Sequence, residues 1–152
     1  MELEAKQEQD KLAAQAKSGA DWFYWIAGLS LVNSAVILLG SDWGFLAGLG
    51  ITQIVDALVM EMAPTAGWLA FIVDLAIAGA CCAIGVWAHR SSKVYMAGMA
   101  LYTLDSILFL LAGDWLGVGF HGLVLFFLWG GLKAMKDLER MATEQSGMPI
   151  AA

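Results

Sequence analysis

The chain has 152 residues, of which 60% are hydrophobic and 14% charged, and its mean hydropathy is +0.70. Soluble domains of this size carry about a quarter charged residues, so a water-soluble globular fold is excluded and a lipid setting is expected. The net charge of −6 comes with no basic, aromatic-rich stretch, which excludes a nucleic-acid-binding surface.

In chain order, residues 1–21 (MELEAKQEQDKLAAQAKSGAD) form a charged, solvent-exposed N-terminal tail that reads as a solvated helix. The tail lacks the basic start, short apolar run and small-residue cleavage site of a secretory signal. Five apolar segments follow, at 22–40, 44–62, 67–88, 93–112 and 116–134, and each approaches the roughly 20 residues that a spanning helix needs. The links between them are GSDWG, APTAG, HRSSK and AGDWLG. All seven tryptophans fall near segment ends, as an interfacial aromatic belt requires. The expected fold class is an all-α integral membrane protein with a bundle of five transmembrane helices. Residues 135–152 read as a helical extension and tail, with Leu132, Met135 and Leu138 on one side of the helix leaving the membrane.

Five crossings put the termini on opposite faces. The C-terminal face then carries Arg90, Lys93, Lys133, Lys136 and Arg140, and the N-terminal face Lys6, Lys11 and Lys17. The positive-inside rule makes the C-terminus cytoplasmic and the N-terminus external, in a multi-pass cell-membrane protein.

A phrase recurs. LVNSAVILLGSDWG (31–44) returns as TLDSILFLLAGDWLG (103–117), with Asn33 facing Asp105. Helices 1 and 4 of a five-span chain are antiparallel, so the match reads as a weak inverted repeat of helices 1–2 on helices 4–5. The alternative is two interfacial turns, each with an aspartate at a helix N-terminus and a tryptophan at headgroup level.

Depth supplies the functional clue. Asp56, Asp74, Asp105 and His121 each stand five to seven residues from the same surface, a single layer roughly 8–10 Å deep at about 1.5 Å per residue. Asp56 and Asp74 are equidistant from Thr65, so a hairpin there sets them side by side, where two carboxylates hold a proton or share a cation. His121 is placed to pair with Asp105. Small and polar residues recur on one face of each helix: Ser30, Asn33 and Ser34; Gly44, Gly48, Thr52 and Asp56 with Gln53 beside them; Asp74, Ala78, Cys81, Cys82 and Gly85; Gly98, Tyr102 and Asp105. Such stripes turn inward.

The candidates for an ion, proton or polar network are therefore Asp56, Asp74, Asp105, His121, Asn33, Gln53 and Tyr102, with Asp56, Asp74 and His121 as weak metal-ligand candidates. Cys81 and Cys82 offer no CxxC pair and fall in the half of the membrane away from His121. No nucleophile elbow, HExxH or phosphate loop is present, so catalysis and a cofactor are not expected. The reading that follows is a non-catalytic accessory or scaffold subunit that self-associates or joins a larger membrane complex in the lipid bilayer. The alternative is a small ion- or proton-coupled transporter or channel subunit built on the Asp/His layer.

Overall fold

The computed structural model describes residues 2–40, 48–63, 65 and 67–147, and every regular element among them is helical. In chain order these are α1 (Glu2–Leu38), α2 (Gly50–Met62), α3 (Gly67–Ala88), α4 (Ser92–Ala112) and α5 (Trp115–Ser146). The links act as the local chemistry dictates. Ser91 caps α4 by accepting from the Val94 N–H, and Gly113 ends α4 at φ +72°, a left-handed value that suits glycine. Asp114 then caps α5, its carboxylate accepting from Leu116 N–H at 3.1 Å and Gly117 N–H at 3.0 Å.

The expected tail and first span are one helix. Nothing between Lys17 and Trp22 breaks the run, and α1 continues through all 37 residues, about 55 Å against a hydrocarbon core of about 30 Å. The tail is exposed from Leu3 to Lys11, but Ala16 and Ala20 are buried.

Cross-contacts fix the directions. Asp21 on α1 meets His89 at the end of α3, and Ser34 reaches Asp74 near the start of α3, so α1 and α3 are antiparallel. Trp22 stacks on Phe127 and Gly19 abuts Gly131, so α1 and α5 are antiparallel too. Phe23 packs at Gly98, and α4 therefore runs the same way as α1. The start of α1's apolar part and the end of α5's thus share one end of the bundle. The core between them centres on Phe23, Ile26, Tyr95, Val124 and Leu128. Large side chains such as Trp25, Ile72, Leu104, Leu111, Phe126 and Trp129 point outward, an apolar surface suited to lipid.

α2 departs from the expected pattern. Leu49 and Gly50 lie beside Ser30 and Asp105, two turns inside the ends of α1 and α4, while Met60 lies near Gly67 at the start of α3. It therefore begins inside the bundle, runs the same way as α1 and returns through α3. Four helices are long and apolar enough to cross a membrane, α1, α3, α4 and α5, whereas α2 has 13 residues.

Two expectations change with this geometry. Four helices, not five, are long and apolar enough to cross a membrane, and among the described residues the first half of α1 and the second half of α5 lie at the same end of the bundle. The inverted repeat also loses its premise, because α1 and α4 run in the same direction. Its first Asp-Trp pair, Asp42 and Trp43, lies outside the described residues, as does Gly44 of the α2 stripe.

Candidate functional site

Inward orientation of the polar stripes is clear in the structure. Ser30, Asn33, Ser34, Thr52, Asp56, Asp74, Asp105 and His121 are all buried. They do not form one layer. Two groups stand roughly 9 Å apart along α2, the rise from Gly50 to Asp56 at about 1.5 Å per residue.

The deeper group is centred on Asp105. Its Oδ2 accepts from Gly50 N–H at 2.7 Å and its Oδ1 from Ile51 N–H at 3.0 Å. Ser30 Oγ accepts the preceding amide, Leu49 N–H, at 2.7 Å, and donates to the Ile26 carbonyl at 2.8 Å. Thr52 closes the turn by donating to the Leu49 carbonyl. A helix that begins inside an apolar bundle exposes free N–H groups and the positive end of its dipole. Here side chains from α1 and α4 satisfy three consecutive amides.

The same carboxylate holds His121, whose Nε2 lies 3.0 Å from Asp105 Oδ2. On the other edge of the ring, Nδ1 lies 2.9 Å from the Gly117 carbonyl. A carbonyl only accepts, so that contact calls for hydrogen on Nδ1, with Nε2 turned to the carboxylate. Tyr102 and Phe109 pack against the imidazole, each with ring centroids 4.5 Å away. Every polar atom of this His–Asp pair therefore has a partner, as a buried ionic group requires.

The second group is the opposite case. Asp56 and Asp74 sit side by side, with the Ser34 hydroxyl next to both. Asp74 is 0% exposed and Asp56 4%. Yet Asp56 Oδ2, both Asp74 carboxylate oxygens and Ser34 Oγ are buried without a hydrogen-bond partner among the described residues. Asn33, the residue before Ser34, has an amide that is likewise unpartnered at both ends. No counter-charge comes from Lys or Arg: all eight lie at the far end of the bundle, on the start of α1, the α3–α4 link with the first turn of α4, and the end of α5. A buried acid pair with a single hydroxyl beside it is costly unless a proton, cation or water completes it.

Sequence reasoning found the Asp56–Asp74 and Asp105–His121 pairings. It missed Ser30 as a bonding partner and the capping role of Asp105, because both depend on α2 starting at mid-depth. Asp56 bonds neither Tyr102 nor Asn33, whose hydroxyl and amide have no partner among the described residues. Gln53 is half-buried. Cys81 is nearer the polar centre than expected, lining one cavity together with Tyr102 and Asp105. His121 is committed to Asp105, and among the described residues no three His, Cys, Asp or Glu side chains converge as a metal site. No protein family, curated protein or solved structure matches the chain.

Proposed function

We propose that this is a four-span membrane protein in which α2 is a re-entrant helix, and that it handles a proton or small cation at the Asp56–Asp74 pair. The observation that carries the reading is the contrast between two buried acid centres. Asp105 has three donors and acts as a structural clamp, whereas Asp56 Oδ2 and both Asp74 oxygens have no hydrogen-bond partner among the described residues and only the Ser34 hydroxyl beside them. A half-helix that ends inside the membrane beside a polar site is how many transporters place ion ligands. On this reading both termini are cytoplasmic. All eight Lys and Arg then fall on one side, a stronger positive-inside bias than five crossings allow.

Reconstituted flux tests the reading. Proteoliposomes should move protons or sodium, and Asp56→Asn and Asp74→Asn should each abolish the movement while the protein stays folded. Unchanged flux in both variants removes the pair from the mechanism.

A second reading, the non-catalytic accessory or scaffold subunit, has its own support. Gly28, Gly79, Gly119 and Gly122 face open space, where an added Cβ would meet nothing within 4 Å. Small outward residues let another helix approach closely in lipid. Native mass spectrometry from mild detergent tests it, and a strictly monomeric protein would count against it. Neither reading includes catalysis.

A further inference from the structure

The Asp56–Asp74 pair is closed tightly enough to select among ions. Asp56 Oδ2, both Asp74 oxygens and Ser34 Oγ each have less than 1 Å² of accessible surface. No water-sized space adjoins these four atoms, so a hydrated cation has no place beside them.

A bare metal ion needs a shell. Calcium takes about six to eight oxygens, and magnesium keeps several of its waters. Sodium sites in transporters draw main-chain carbonyls from unwound segments or from the C-terminal ends of half-helices. Neither source is at hand, because Ser34, Asp56 and Asp74 lie inside α1, α2 and α3, where the carbonyls are bonded along uninterrupted helices. Asp56 is the central residue of the 13-residue α2, six residues from its C-terminal end. Among the described residues no third His, Cys, Asp or Glu joins the two acids.

A proton needs no such shell. Two carboxyl groups side by side hold one in a hydrogen bond between them, acid to carboxylate, and this removes one of two buried like charges. The Ser34 hydroxyl lies next to both acids and can donate to the carboxylate that remains. The other buried titratable groups, Asp105 on α4 and His121 on α5, bond each other in the deeper group, and Glu61 on the last turn of α2 is exposed. We propose that the ion at this site is a proton, shared between Asp56 and Asp74, with the Ser34 hydroxyl as the donor to the pair. This rests on the reading of the pair as an ion site and narrows it to one ion.

Two measurements on the full-length protein test it. Infrared spectra of the purified protein at neutral pH, in sodium chloride or in choline chloride, read the carbonyl stretch of a protonated carboxyl. Proteoliposomes read proton movement under a pH gradient, and sodium movement under a sodium gradient. The expected result is a carboxyl band that is the same in both salts and altered in Asp56→Asn and in Asp74→Asn alike, with proton flux that does not need sodium. A band that sodium removes, or flux of sodium alone, overturns the proton and leaves the pair an ion site. A carboxyl band that neither variant alters, or that only one alters, overturns the sharing. A band altered in both variants, with no flux of either ion, supports the shared proton and overturns the transport reading instead.

Discussion

The carboxylate of Asp105 accepts the backbone N–H of Gly50 at 2.7 Å, tying α4 two turns inside its end to the first turn of α2 across 55 residues of sequence. Through its other contacts the same group also secures Ile51 and His121. Removing its charge should free the α2 N-terminus and leave His121 without its acid. Breaking one member of a buried ionic pair typically costs about 3–5 kcal/mol. Asp105→Asn should accordingly lower the unfolding midpoint sharply, and adding His121→Gln should cost much less than in the wild type. Additive losses in that double-mutant cycle would show that the two residues do not act together.

The contact between α1 and α5 gives a second prediction. A Cβ on Gly131 would come within 2.7 Å of the Gly19 Cα, while one on Gly119 or Gly122 would touch nothing. Gly131→Ala should destabilise by about 1–3 kcal/mol through overpacking. Gly119→Ala and Gly122→Ala should be neutral, or stabilising by about 0.5–1 kcal/mol, since glycine weakens a helix interior. Thermal melts of the three variants in one detergent compare them directly, and equal effects would contradict the packing.

Topology can be read by single-cysteine labelling in a Cys81- and Cys82-free background. Cysteines at Lys6 and Lys136 should react from the same side of sealed vesicles, and cysteines at Thr65 and Gly113 from the opposite side. Labelling of Lys6→Cys and Lys136→Cys from opposite sides would restore a five-span arrangement and remove the re-entrant reading of α2.

Much of this architecture was legible in the sequence. The bounds of α3, α4 and α5 follow from turn chemistry, with Ser91, Gly113 and Asp114 acting as caps where the apolar runs stop. The inward faces also followed, because small and polar residues at helical spacing have nowhere else to go in lipid. The course of α2 was not legible from hydropathy. Residues 44–62 pass a length test, and hydropathy records how apolar a segment is but not the direction in which it runs. One sequence signal agrees with the proposed four-span reading: four crossings gather all eight Lys and Arg on one side, whereas five divide them five to three. The division of the acidic residues into a clamped centre and an open one depends on that same turn of the chain.

The contrast between those two centres leads to the most direct measurement, the unfolding midpoint of Asp74→Asn beside that of Asp105→Asn. Among the described residues Asp74 has only the Ser34 hydroxyl beside it, which an amide oxygen also accepts, and its replacement relieves a like-charged buried neighbour, so its midpoint should match or exceed the wild type while Asp105→Asn falls. A loss in Asp74→Asn as large as that in Asp105→Asn would make the Asp56–Asp74 pair a structural element and contradict its reading as a site kept open for an ion.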